Sequence, residues 1–351
     1  MMTSSSPTLL LDAIRTGVAA RPADALLLSG GVDSSLLAAV ATEPGEAPVA
    51  ITVSLDAGPA EACPLHGPGL AAPCNSDHAA AQRVAGWLGL DWQPIRLPAR
   101  EALDALLALC LALRSFDLGN LNNIALYAGA LRASRFGAER VWTGDDADSL
   151  FGGYAFLRRH ADWREYLRAR IPTIRPPFVD IAPLAGTVPV FPYLHAAVLG
   201  AAGDLSRDGV LADVPVSERA TPPSFVDQFD QTVMAADRRV WGKAPLRRVA
   251  AEMLPEEIAW RPKTDLEFGS GMCALEPLLA EMATPDDRER LDRTGIRFFN
   301  DAHRGLYLRW IEAGGSIPAP GSGEYACRSC GGGVANGRSH CPTCGAWPAD
   351  R

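Results

Sequence analysis

No apolar run in these 351 residues approaches the roughly 20 that a membrane helix needs. The opening MMTSSSPTLLLDAIRTGVAA also lacks the charged start and long apolar core of a signal peptide. No membrane partner is therefore expected, and a cytoplasmic location is the default. Positive charge is in short supply: 33 Lys and Arg face 41 Asp and Glu, a net charge of −8. That balance argues against a broad nucleic-acid or membrane-surface footprint, with Arg158, Arg159, Arg164, Arg168 and Arg170 as a local basic cluster. Eight cysteines are too few at this length for a disulfide scaffold. No internal repeat is visible, which excludes a solenoid. Hydrophobic residues at 48% and charged ones at 21% describe a globular chain.

Residues 7–20 read as a short helix and Ala25 to Leu28 as a buried strand. VAITVS, 49–54, is a strand by its β-branched alternation, SDHAAAQRVAGWLG, 76–89, a helix capped by Ser76 or Asp77, and DWQPIRL, 91–97, a third strand. Helical patterns over 101–114 and 120–135 precede another buried strand, ERVWTG, 139–144. Strands alternating with helices predict an α/β fold, a doubly wound parallel sheet covered on both faces. Ligands in such sheets bind beyond the carboxyl ends of the strands, so the turns after the first strand and after ERVWTG point at one crevice. From about 171 prolines crowd the chain and break regular structure; helical patterns resume over 195–312. The expected organisation is an α/β domain over 1–170, a helical region over 171–312, a Gly/Pro/Ser linker over 313–323 and a small unit over 324–351.

The stretch ALLLSGGVDSSLLAAV, 25–40, carries the first chemistry. An apolar strand feeding a Gly-rich turn that opens a helix presents unpaired backbone N–H groups and a favourable dipole to an anion. The glycines Gly30 and Gly31 permit close approach, and Ser29, Ser34 and Ser35 add donors. It is not the Walker phosphate loop, because the closing Gly-Lys-Ser/Thr is missing. It matches SGGxDS, and so resembles the pyrophosphate loop (PP-loop) of the N-type ATP pyrophosphatases. That resemblance implies a turn holding the β and γ phosphates of ATP, with Asp33 on Mg²⁺.

Gly144-Asp145-Asp146-Ala147-Asp148-Ser149-Leu150-Phe151-Gly152-Gly153-Tyr154 resembles the GEGADELFGGY signature of the asparagine synthetase family's synthetase domain. Gly242-Lys243-Ala244-Pro245-Leu246-Arg247, then Ala259-Trp260-Arg261-Pro262-Lys263 and Gly269-Ser270-Gly271, are similar to that family's K-x-x-L-R and W-R-x-K…G-x-G segments. Val190-Phe191-Pro192-Tyr193-Leu194-His195 is similar to its V-P-F-L-D. The resemblance covers roughly residues 20–290. It implies an adenine nucleotide alpha hydrolase-like fold, a Mg²⁺ pair in Asp33 and Asp148, catalytic roles for Lys263, Asp145 and Lys243, and nucleotide contacts from Gly144 and Arg247. Four positions depart from the pattern: Asp145, Ser149 and His195 stand for Glu, Glu and Asp, and Asp146 for Gly. Glutamine-dependent members begin with a glutaminase domain, whereas Met1-Met2-Thr3 opens directly into the synthetase part. The expectation is nitrogen from free ammonia, a partner glutaminase or a substrate amine, or else a sulfur donor.

Cys327-x2-Cys330, ten residues, then Cys341-x2-Cys344 is a zinc-ribbon pattern, because each C-x-x-C presents two thiolates to a tetrahedron. A segment of about 28 residues builds no core of its own, so Zn²⁺ supplies folding energy. Four sulfurs close the site, making it structural, with His340 as a neighbour. Cys63-x2-His66 and Cys74-x3-His78 form a second, less familiar set, read as a further zinc site, as sulfur-carrying cysteines or as incidental loop residues. Cys110 and Cys273 are packing residues. Asn120, Asn122, Asn123 and Asp117 precede or open a helix, where capping is the favoured reading over substrate contact.

The leading functional expectation is an ATP-dependent, AMP-forming ligase that adenylates a small-molecule or carrier-bound carboxylate and passes it to nitrogen. Two others compete: a PP-loop sulfur transferase acting on a nucleotide or RNA base, and a non-catalytic module whose ribbon recruits a carrier protein.

Overall fold

The computed structural model describes residues 7–45, 47–56, 76–154, 157, 162–210, 212–215, 238–261 and 263–350. Helix α1 (Pro7–Ala20) leads into strand β1 (Ala25–Leu27), helix α2 (Val32–Thr42), strand β2 (Val49–Leu55), helix α3 (Ser76–Leu88) and strand β3 (Trp92–Leu97). Helices α4 (Ala99–Ala112) and α5 (Asn120–Arg135), strand β4 (Arg140–Trp142), the short helix α6 (Ala147–Phe151) and strand β5 (Val188–Val190) follow. The five strands form one parallel sheet in the order β3-β2-β1-β4-β5.

Strand residues alternate between two apolar layers, as period-two geometry requires. Leu26, Leu28 and Ala50 join the core with residues of α1, α2 and α3, while Ala25, Ile51 and Val53 join the one with residues of α4 and α5. Both faces are therefore covered, the doubly wound arrangement that the sequence predicts. The chain winds outward in opposite directions from β1 and β4, which lie side by side. Such a reversal leaves a crevice at the strand ends between them.

Two differences from the sequence reading concern strands. Val188–Val190 pairs with β4 inside the proline-rich stretch expected to be irregular. Its Pro189 is tolerated because β5 is an edge strand, where one side needs no donor; Pro94 sits likewise in β3 on the opposite edge. Ala212–Pro215 and Arg238–Trp241 pair antiparallel within the region read as wholly helical.

The C-terminal unit is a hairpin of Glu324–Ala326 and Gly333–Ala335. Cys327, Val334, Cys341, Cys344, Ala346 and Ala349 share an apolar cluster with Phe116 and Trp310. Residues 313–323, expected as a linker, are laid along that junction. Gly315 N–H donates to Trp310 O (2.8 Å), Ile317 packs on the cluster and Gly333 N–H reaches Pro318 O (3.1 Å). Among the described residues no helix is long and apolar enough to cross a membrane.

Candidate active site

The turn after β1 runs Ser29 to Ser35 into α2, whose N-cap is Gly31, a residue with no side chain to occupy the first N–H groups. Ser29 Oγ accepts from Gly31 N–H (3.2 Å), and Ser34 Oγ accepts from Ser29 N–H (3.2 Å), so the serines brace the turn. Tyr193 Oη, wholly buried, donates to Asp33 O (2.9 Å) and fixes the first turn of α2 from below.

The acidic turn after β4 faces it. Asp146 adopts left-handed backbone (φ 64°), which explains why Gly suits this position and why Asp, among the residues that tolerate it, can replace Gly here. Its carboxylate meets Arg170 at 3.2 Å. Gly153 closes the turn against the site: a Cβ there would lie 1.9 Å from Asp148 Oδ1 and 2.3 Å from Lys243 Cε.

Asp33 and Asp148, brought together in the first turns of α2 and α6, share one ammonium. Lys243 Nζ lies 2.5 Å from Asp33 Oδ2 and 2.7 Å from Asp148 Oδ1. Lys243 is itself left-handed (φ 58°) and 4% exposed, a strained and buried cation of the kind that clusters at functional sites. Lys263 Nζ stands 4.0 Å from Asp148, pairs with Asp265 and lies 5.3 Å from the Tyr154 ring centre. Burial opposes its charge, yet Asp148 and Asp265 hold the Lys263 ammonium above its ordinary value. Burial raises Asp33, against the pull of Lys243. Asp148 is also disfavoured by burial, but Lys243 and Lys263 outweigh it and keep that carboxyl below its ordinary range. Burial pushes Asp145 up to about 7, aided by its carboxylate neighbours. The 33 basic residues include two lysines alone, Lys243 and Lys263, and the fold sends both to Asp148.

These groups open into a cleft of about 900 Å³. Ser29, Asp33, Ser34, Gly144, Asp145, Asp148 and Lys263 line it, whereas Gly30, Gly31, Ser35, Lys243 and Arg247 are not among the residues that line it. Ser35 is fully buried. Arg247, expected at the nucleotide, is buried and donates to the carbonyls of Gly242 (3.0 Å), Ala259 (3.0 Å) and Arg261 (2.8 Å), so it ties the loops that carry the two lysines. Nine carboxylates and one lysine line the cleft among the described residues, and a triphosphate enters such a lining only with cations. Asp33 Oδ1 and Asp145 Oδ2 are buried without a hydrogen-bond partner among the described residues, as carboxylate oxygens set aside for a metal are. The chemistry of this donor set fits Mg²⁺.

Several residues take roles here that the sequence does not assign to them. Asp77, read as a helix cap, is 4% exposed and paired with Arg261 at 2.8 Å. Arg261 also donates to Ser29 O (3.2 Å) and Ser76 Oγ (3.0 Å), clamping the turn after β1 to the start of α3. The three asparagines do not cap α5, whose N-cap is Gly119 with no side-chain bond. Asn122 Oδ1 accepts from Glu267 N–H (2.9 Å), Asn123 donates to Asn120 Oδ1 (2.9 Å), and all three face the cleft. His195, by contrast, is a helix cap: its Nδ1 accepts from Ala197 N–H (3.3 Å), an acceptor's task that Asp also performs.

In the C-terminal unit Cys327 and Cys344 Sγ are 3.8 Å apart, Cys330 and Cys341 3.7 Å, and all four lie within 4.8 Å of one another. A tetrahedral zinc with sulfurs at about 2.3 Å has edges of about 3.8 Å. The four sulfurs thus fit zinc. His340 lies outside the set and meets Asp117 instead, 3.2 Å away. Of the second cysteine–histidine group, Cys63, His66 and Cys74 fall outside the described residues; His78 packs on Trp92 at 5.2 Å. Cys110 and Cys273 are buried thiols.

The Asparagine synthase family model matches residues 7–237. The chain belongs to that family. Asparagine synthetase B [glutamine-hydrolyzing] of Escherichia coli K12 is 24% identical over 315 residues, 87% of this chain and 53% of its own. Asparagine synthetase [glutamine-hydrolyzing] 1 of Saccharomyces cerevisiae is 24% identical over 294 residues, 76% of this chain and 48% of its own. The chain therefore spans about half the length of these relatives. The solved structure of NMN synthetase from Francisella tularensis is 12% identical, with a TM-score of 0.38 over 92% of this chain and 100% of that one.

Proposed function

We propose that the chain is an ATP-dependent, AMP-forming ligase that adenylates a carboxylate and transfers the acyl group to a nitrogen nucleophile. The convergence of Asp33, Asp148 and both lysines at the open end of the sheet carries this reading, together with membership of the family. A carboxylate oxygen of the acceptor attacks the α-phosphorus of ATP. The bond from that phosphorus to the α,β-bridging oxygen breaks, and pyrophosphate departs toward Ser29–Ser34. The nitrogen nucleophile then adds to the acyl carbon, AMP leaves with the bonding pair, and the nitrogen gives up a proton.

The chain's own groups serve each stage. Backbone N–H groups of the turn and the α2 dipole receive the leaving pyrophosphate. Lys263, held charged by Asp148 and Asp265, faces the negative charge that develops at the α-phosphate. Asp33 and Asp148, with Asp145 beside them, would hold Mg²⁺, which when bound neutralises triphosphate charge. Lys243 keeps the two carboxylates together.

The test is pyrophosphate and AMP release from MgATP with a panel of amino-acid and other small carboxylates, plus ammonium as nitrogen donor. Acid-dependent release of both is expected; ADP and phosphate as products would overturn the reading. Lys263→Ala should lower kcat by about 10²–10³ with a far smaller change in KM for MgATP, as for removal of a preorganised charge donor.

A further inference from the structure

The C-terminal unit is built into the wall of the same cleft. Its second knuckle, Cys341 to Cys344, lies on the loop between α4 and α5. Phe116 N–H donates to Thr343 O (2.7 Å), and Ser115 Oγ donates to that carbonyl (3.3 Å). Gly345, left-handed at φ 78°, passes so close that a Cβ there would sit 2.2 Å from Asp117 Oδ1. Thr343 lies inside that knuckle, between Cys341 and Cys344 of the four-sulfur cluster.

The other side of that loop faces the substrate space. Ser115, Asp117 and Asn120 line the cleft together with His340 and Pro342 of the ribbon itself, in the same cavity as Asp148 and Lys263. Asp117 gives one oxygen to Gly119 N–H (2.8 Å) and the other to His340 Nε2 (3.2 Å). The ribbon thus supplies side chains to the cleft and also holds the α4–α5 loop that supplies others.

We propose that the four-cysteine ribbon is the outer wall of the acceptor end of the cleft, a metal-held clamp on residues 115–120 whose His340, paired with Asp117, selects acceptor acids with a hydrogen-bonding group remote from the reacting carboxylate. The selection part rests on the ligase reading; the clamp part does not. Metal loss opens the acceptor end and leaves the turn at Ser29–Ser35, held by Tyr193 and Arg261, in place.

The test uses the full chain in two arms. Hydrogen exchange compares zinc-loaded protein with chelator-treated protein and with the doubly substituted Cys341→Ser/Cys344→Ser. Exchange across 115–120, Phe116 above all, should quicken at least tenfold, while 29–35 changes less than twofold. Unchanged exchange at Phe116 would overturn the clamp. In the second arm His340→Ala, which keeps all four cysteines, is assayed for pyrophosphate release across the acid panel. KM for the preferred acid should rise at least tenfold and the ranking of acids should change, with KM for MgATP within twofold. An unaltered acid KM and ranking would overturn the selection role. Should no acid support release by the unsubstituted protein, the ligase reading falls, and exchange at Phe116 still decides the clamp.

Discussion

A single ammonium between two carboxylates determines the energetics at the residue scale. Removing Lys243 leaves Asp33 and Asp148 facing each other, each less than a quarter exposed, with their shared counter-charge gone. Breaking a buried pair of this kind costs about 3–5 kcal/mol, so Lys243→Ala should lose much of its stability at pH 8. The sign follows from the charges. Without the lysine, repulsion raises the carboxyl values, and protonation relieves the repulsion as pH falls. The deficit relative to the unsubstituted protein should therefore shrink between pH 8 and pH 5, and thermal unfolding at the two values measures it. A deficit that grows as pH falls would contradict the role given to Lys243. Each of these residues stands out in the sequence only through a motif. That Lys243 touches Asp33 is legible nowhere in the chain, because 210 positions separate them.

At the scale of elements, four of the five sheet strands are legible in the sequence, ALL and RVW within short apolar runs, VAITVSL by its β-branched alternation and WQPIRL by its place in the alternation of strands with helices. The fifth, Val188–Val190, hides behind its neighbouring prolines, since an edge position relaxes the donor requirement that makes proline a strand breaker elsewhere. The rule that ligands gather where strand order reverses places the two motif turns together before any coordinate is known. What it cannot supply is the clamp across them. Arg261 joins Ser29 and the start of α3, and only tertiary folding brings Asp77 under its guanidinium. Burial already raises Asp77, while Arg261 pulls it down. Arg261→Ala strands that carboxylate at 4% exposure, and a loss of about 3 kcal/mol is expected from denaturant midpoints at pH 7.5. The companion Arg261→Ala/Asp77→Asn should recover part of it, and a double variant no more stable than the single one would remove the pair from the account. Nucleotide binding should weaken in the single variant, because the turn loses its tie to α3.

For the whole molecule, the second core runs from the sheet through Phe116 and Trp310 into the ribbon. His303 is fully buried there, stacked on Phe116 at 5.1 Å and on Phe299 at 4.8 Å, with Nδ1 accepting from Phe299 N–H (3.2 Å). Burial lowers its pKa to about 4. The unfolded chain takes up this proton near the ordinary value of about 6.5, so the folded state loses stability as pH drops from about 6.5 to about 4 and loses no more below. The amount is about 3 kcal/mol at most. His303→Phe should flatten that part of the stability profile, measured by urea unfolding between pH 7 and pH 4. An identical slope in the variant would assign the acid sensitivity elsewhere. The four cysteines announce a metal in the sequence because their spacing is local. Their berth on the α4–α5 loop is invisible there, since Thr343 and Phe116 are partnered through backbone groups that every residue possesses.

The outermost strands of the sheet each interrupt their hydrogen-bonding capacity once, at Pro94 and at Pro189. A foreign strand arriving at either margin finds a gap in the row of donors. The molecule is in this way guarded against recruiting copies of itself into an extended ribbon of sheet, a protection that matters most during synthesis, before the surrounding helices have settled.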